Sequence, residues 1–296
     1  MLLGGAGALL LAACGDGGGD RSSPRTGGST TDGEPTSSDR SLLAFFDGRS
    51  TLVPGRLQRA PFGIGDRDGA LVKDGPAALS FTVVDQAKRP VGEPVRVDRH
   101  DAGLPRAYYP VPVTVPKAGF YGVTTTVGGE RLEAAFEVSP ADQVAVPGAG
   151  DAMPVLDTPT TAAPGGVDPV CTRQPVCPLH DESLRTALGA SRPVALLVST
   201  PAYCQTAICG PVLDVLLSQR DDFAERVTFL HAEVFRNGRE VEREGTSAAP
   251  TPIMGALSLT FEPCLLLVGS DGRILRRVDV IFDEVELRRS LEELVA

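Results

Sequence analysis

Six cysteines and three histidines draw attention in a chain of 296 residues. Thiols and imidazoles are the side chains that form disulfides, exchange them, or hold soft metal ions. Cys204 and Cys209 enclose the segment Gln205-Thr206-Ala207-Ile208, while Cys171 and Cys177 flank a proline-containing loop that leads to His180. Cys264 follows Pro263 directly, and Cys14 ends an apolar N-terminal run. Cys171 and Cys177 most simply form a local structural disulfide. With His180 they offer three zinc-type ligands, but the spacing matches no standard site and a fourth ligand is missing, so no metal is expected there. Cys204 and Cys209 pose a geometric problem. On one continuous helix, positions five apart rise about 7.5 Å along the axis, whereas a disulfide needs Cα atoms within about 7 Å. The two bond only if the intervening turn is irregular.

The elements that must hold these residues alternate between strand and helix from residue 169 to 296, the pattern of an α/β layer fold. Asp181 is placed to cap a helix through Leu184, Ala187 and Leu188, which Gly189 stops. Residues 193–199 are continuously apolar, as in a central strand covered on both faces. After the cysteine loop, a helix from about Gly210 carries Val212, Leu213, Val215, Leu216 and Leu217. Strands follow over 227–235, 263–268 and 274–280, with a short helix over 251–259. Asp283 and Glu286 make a capping-box start for a last helix bearing Val285, Leu287, Leu291 and Leu294.

The first half of the chain reads differently. Leu79, Phe81 and Val83 alternate with their neighbours, as do Tyr121, Val123, Thr125 and Val127. Gly128-Gly129 then supplies the positive φ of a two-residue hairpin, and Leu132, Ala134, Phe136 and Val138 return. Further strands near 42–46, 56–61, 94–99 and 109–115 bring the count to about seven, which predicts an antiparallel sandwich over 41–140. That region has no cysteine and one histidine, His100, expected in a solvated loop beside Arg99 and Asp101. It reads as a spacer or protein-binding module. Residues 14–40 have the composition of a flexible tether. Residues 141–168, with Pro147, Pro154, Pro159 and Pro164, have that of a linker. The formal charge is −10 without a basic cluster, which excludes nucleic acid as a partner. No apolar stretch reaches the 18 or so residues of a membrane span.

Three resemblances extend these readings. Leu11-Ala12-Ala13-Cys14-Gly15 resembles the lipobox of bacterial lipoproteins. It implies a signal peptide over 1–13, lipidation of Cys14, and a cell-membrane location on the extracytoplasmic face, where disulfides are permitted. The run Pro116-Lys117-Ala118-Gly119-Phe120-Tyr121 is similar to a strand entry of bacterial immunoglobulin-like domains. The order of elements from Pro193 to the C-terminus resembles the thioredoxin fold. In that family a buried strand delivers a cysteine motif to a helix N-terminus, and a cis-proline opposite the motif begins a later strand. Cys204 to Pro211 stands at the motif position, and Glu262-Pro263-Cys264 at the cis-proline position.

The resemblance implies an α/β thioredoxin-like domain that exchanges thiols and disulfides with extracytoplasmic proteins and needs no organic cofactor. Cys204 would attack, Cys209 would resolve, and Pro263 would face them. Cys264 is a candidate third thiol. Several residues depart from the family pattern. Four residues, not two, separate the cysteines, and Tyr203 replaces the usual tryptophan. No acid lies within 194–200, where thioredoxins keep a buried one for proton transfer, and Glu262 places negative charge beside the thiols. Two alternatives therefore stand beside the redox reading. In one, Cys204–Cys209 is a permanent bridge in a non-catalytic, partner-binding domain. In the other, the two thiols and His231 hold copper, as in Sco-type chaperones of the same fold.

Overall fold

The computed structural model describes residues 39–46 and 51–296. The expected signal peptide, Cys14 and nearly all of the 14–40 tether lie outside the described residues. Among the described residues, no helix is long and apolar enough to cross a membrane.

Strands β1 (Arg40–Ala44), β2 (Gln58–Asp66), β3 (Ala78–Val84), β4 (Val95–Asp98), β5 (Tyr109–Val113), β6 (Gly119–Val127) and β7 (Glu130–Val138) form two antiparallel sheets. Their orders are β1-β2-β5 and β4-β3-β6-β7. One core joins the sheets, with Phe62 and Val111 from the first meeting Phe81, Val123 and Phe136 from the second. In β3, β5 and β7 the alternation that reads as strand in the sequence buries these side chains while their neighbours are more exposed, whereas β2 is buried along most of its length. Gly128 and Gly129, at φ 61° and 87°, close the β6–β7 hairpin, with Val127 opposite Glu130. Pro110 and Pro112 are tolerated in β5 because it is an edge strand and needs fewer ladder donors.

The C-terminal half comprises α1 (Leu184–Gly189), β8 (Val194–Val198), α2 (Cys209–Phe223), β9 (Thr228–Ala232), α3 (Gly238–Glu244), α4 (Pro252–Ala256), β10 (Cys264–Val268), β11 (Ile274–Asp279) and α5 (Glu284–Leu294). Its sheet has the order β11-β10-β8-β9. β8 and β9 run parallel, while β10 is antiparallel to both β8 and β11. Every residue of β8 is buried because both faces are covered. Ala195 and Leu197 pack toward Val212, Leu216 and Leu291 of α2 and α5. Val194, Leu196 and Val198 pack toward Leu184, Ala187 and Ile253 of α1 and α4. This is the thioredoxin-like order of elements. Ser183, not Asp181, caps α1 by accepting the Thr186 N–H. Asp283 caps α5 as expected, accepting the Glu286 N–H at 2.8 Å.

The two halves are joined more tightly than composition predicts. Tyr108, wholly buried, sits in the C-terminal core, where its hydroxyl donates to Glu286 and accepts the Asp283 N–H at 3.0 Å. The Arg59 guanidinium pairs with Glu286, Nη2 to Oε2 at 2.8 Å, and donates to the Ile281 carbonyl. His100 corrects its expectation. It is not a solvated loop residue, because its Nδ1 lies 2.8 Å from the buried Asp283 carboxylate that caps α5. The 141–168 segment is also not slack. Gly150 N–H donates to the Ile274 carbonyl at 2.8 Å, Ile274 N–H to Asp151 at 2.9 Å, and Met153 N–H to Gly272 at 2.8 Å. The edge strand β11 presents unpaired backbone groups, and this segment satisfies those of its first residue, Ile274.

Candidate functional site

β8 ends at Val198, and the chain crosses the sheet end to enter α2 at Cys209. Cys204 and Cys209 are disulfide-bonded, with Cα atoms 5.9 Å apart. The spacing problem is solved as required, since Cys204 lies before the helix. Ala207 adopts φ 54°, the left-handed turn that folds the chain back. Pro211 falls in the first turn of α2, where its missing N–H costs no helical hydrogen bond. Cys204 is partly exposed, whereas Cys209 is fully buried. The Cys209 N–H, one of the unpaired donors at the helix start, points at Cys204 Sγ from 3.4 Å. Pro263 is in cis, as expected, and leads directly into β10.

The acid missing from 194–200 is supplied from elsewhere. The Glu262 carboxylate accepts the Thr200 N–H and lies 3.4 Å from Cys209 Sγ. Burial pushes the Glu262 carboxyl up to about 8, against the lowering effect of the Thr200 N–H, and the nearby charge of Glu233 adds to the rise. Glu233 is itself buried and raised, first by desolvation, while one of its oxygens accepts the Thr172 N–H and hydroxyl. The sequence placed Glu262 near the thiols but read it only as an adverse charge. Its position directly before the cis-proline was the signal that it sits beside Cys209.

Cys264 is not a third thiol of this site. Strand alternation turns it to the opposite face of the sheet, into the cluster of Val198, Ile253 and Leu266. Burial and the adjacent Asp279 push its thiol far up, so it remains protonated and inert.

The remaining pair also differs from expectation. Cys171 and Cys177 are not bridged; both are free and buried, with sulfurs 3.6 Å apart. Two histidines crowd the pair. His180, only three residues on, turns its Nε2 to within 3.3 Å of Cys177 Sγ. His231 enters from β9 with Nδ1 3.6 Å from Cys177 Sγ and 3.8 Å from Cys171 Sγ. This arrangement also removes the copper reading, in which His231 was to join Cys204 and Cys209; its ring faces the other pair. Strand parity carried that signal, because His231 shares a face with Phe229, opposite to Leu230 and Ala232. The two thiols are strongly coupled. Donation from the Cys177 thiol lowers the Cys171 thiol and favours its thiolate form, while the same contact and burial raise Cys177.

No family model matches the chain, and no curated protein matches it. Among solved structures, it is similar to a C-terminal domain from Bacteroides thetaiotaomicron named for thiol-disulfide oxidoreductase activity, at 11% identity and TM-score 0.31, covering 50% of this chain and 95% of that one. A thiol:disulfide interchange protein of the thioredoxin family from Chlorobium tepidum matches at 11% identity and TM-score 0.32, covering 49% and 96%. The bacterial hydrophobin BslA matches at 18% identity and TM-score 0.20, covering 34% and 98%. The thioredoxin-like fold rests on the strand order, the helix that begins at Cys209 and the cis-Pro263, not on these likenesses.

Proposed function

We propose that this chain is a thiol–disulfide oxidoreductase of the bacterial cell envelope, anchored through an acylated Cys14 and acting on extracytoplasmic proteins. The observation that carries the reading is the Cys204–Cys209 bond at the start of α2, with the Glu262 carboxyl 3.4 Å from the buried sulfur. The sandwich half, immunoglobulin-like in this reading, serves as the spacer between the membrane and the redox centre.

The chemistry follows from the two environments. In the reduced protein, the Cys209 N–H and the α2 terminus favour the thiolate at Cys204. That thiolate attacks one sulfur of a target disulfide, the target S–S bond breaks, and the first target thiolate leaves. Cys209 then passes its proton to Glu262 and attacks Cys204 Sγ. The second target thiolate departs, and the Cys204–Cys209 bond closes. Two electrons have moved from the dithiol to the target, and the reverse sequence oxidises a target dithiol. A carboxyl that titrates near pH 8 suits this relay, because it both accepts and returns a proton near neutrality.

Cys209→Ser tests the proposal. The variant is expected to accumulate mixed disulfides through Cys204, while Cys204→Ser accumulates none. A Cys204/Cys209 potential below about −300 mV, with no turnover of a disulfide substrate, would instead mark a permanent bridge in a partner-binding protein.

A further inference from the structure

We propose that Cys171, Cys177, His180 and His231 form a closed, four-coordinate zinc site beside the redox centre. The four donor atoms all lie within 4.8 Å of one another and all four residues are buried. A tetrahedral zinc ion takes Zn–S bonds of about 2.3 Å and Zn–N bonds of about 2.0–2.1 Å, and so spaces its ligands by about 3.8 Å (S to S), 3.6 Å (S to N) and 3.4 Å (N to N). The structure places the two sulfurs 3.6 Å apart, the two nitrogens 3.2 Å apart, and three sulfur–nitrogen pairs at 3.3, 3.6 and 3.8 Å. Five of the six edges of a coordination tetrahedron are thus present to within a few tenths of an ångström.

The atoms facing inward are the right ones. His231 Nε2 faces the Ser199 carbonyl at 3.1 Å and the Ser199 hydroxyl at 3.0 Å; a proton on Nε2 satisfies the carbonyl and leaves the Nδ1 lone pair toward the cluster. A backbone carbonyl holding the far side of an imidazole is the usual support of a metal-binding histidine. His180 Nδ1 is buried without a hydrogen-bond partner, so nothing on its outer side explains the ring's orientation. Burying two thiols and two imidazoles together costs free energy. A divalent ion with two thiolates makes a neutral complex and uses every inward-facing atom. Mixed nitrogen and sulfur donors in a tetrahedron select zinc, and four protein ligands leave no open position for catalysis. The site would therefore be structural.

Its placement shows what it would hold. His231 N–H donates to the Leu179 carbonyl at 3.2 Å, which lays the 171–180 segment along the edge strand β9. Thr172, next to Cys171, accepts the Ala202 N–H through its hydroxyl at 3.2 Å, from the loop that carries Cys204. The metal would pin the segment that supports the redox loop from behind. The reading does not depend on whether Cys204 and Cys209 exchange disulfides.

Cobalt(II) titration of the full chain under reducing conditions tests the site. The wild type and the Cys204→Ser/Cys209→Ser variant are each expected to bind one ion, with thiolate-to-cobalt charge-transfer bands and the intense d–d bands of a tetrahedral centre. Zinc should displace it, and Cys177→Ser should abolish it. Since that substitution lies in a core and can unfold the chain, alkylation of the unmutated protein gives a second readout. Zinc should shield Cys171 and Cys177 from a maleimide, and a chelator should remove the shielding. The proposal is overturned if wild type takes up no cobalt, if uptake vanishes with the Cys204→Ser/Cys209→Ser pair, or if zinc leaves both thiols equally open to alkylation. It is equally overturned if zinc-supplied protein carries a Cys171–Cys177 disulfide.

Discussion

Glu262→Gln separates the ionisation of this carboxyl from its shape. The amide keeps an oxygen for the Thr200 N–H and nearly the same volume, but it cannot titrate. In the folded protein the carboxyl is raised from its ordinary 4.5 to about 8, chiefly by desolvation. Each pH unit of displacement is worth about 1.4 kcal/mol, so the full interval corresponds to roughly 4–5 kcal/mol. Glu262 is only partly buried, and water screening reduces the expected effect to about 2–3 kcal/mol. A carboxyl whose folded pKa lies above its unfolded value contributes its stability fully below the unfolded value. That contribution is lost as pH rises through the folded one. The oxidised wild type should therefore weaken between about pH 5 and about pH 9 relative to the variant. Urea unfolding with the disulfide intact measures this. With a slope of about 2–3 kcal/mol/M, the wild-type midpoint should fall by about 1 M more than that of Glu262→Gln over the interval. Parallel pH dependence in the two proteins would refute both the raised carboxyl and the proton relay built on it.

Two further outcomes follow from the packing. Arg59→Ala leaves the Glu286 carboxylate and the Ile281 carbonyl without their shared partner. It should destabilise the chain by about 3–5 kcal/mol in chemical unfolding, and a companion Arg59→Met/Glu286→Leu variant should recover much of that loss. Cys264→Ala should leave disulfide exchange unchanged and lower stability by about 1 kcal/mol, because this thiol is a buried filler on the far face of the sheet. A fall in exchange rate without a fall in stability would place Cys264 back in the site.

Much of the fold was legible because it depends on local pattern. The uninterrupted apolar run of β8 demanded cover on both faces, Gly128-Gly129 demanded a tight hairpin, and Asp283 with Glu286 demanded a helix start. Each is a short-range constraint that composition and period express directly. The junction between the halves was not legible. Tyr108, Arg59 and His100 look like ordinary residues of a β-rich segment, and only the fold brings them to Glu286 and Asp283, about 180 to 230 positions later in the chain. The same holds for the 141–168 segment, whose composition reports weak local preference and says nothing of the β11 edge that captures it.

The chemistry failed to show for a more specific reason. Sequence spacing finds ligands and acids that one element carries, such as Cys171, Cys177 and His180, but not the partner that another strand delivers. His231 completes that cluster from β9, and Glu262 supplies from the loop before β10 the carboxyl that the β8 end lacks. The two completions meet at the end of β8. Ser199 faces His231 through its carbonyl, and the next residue, Thr200, gives its N–H to Glu262. Charge links the sides as well, since Glu233 adds to the rise of Glu262 while its oxygen holds Thr172, next to Cys171. A change in the cysteine–histidine cluster that moved Ser199 would therefore reach the Glu262 carboxyl beside Cys209 through two adjacent residues of one strand end, and one that moved Thr172 would reach it through Glu233.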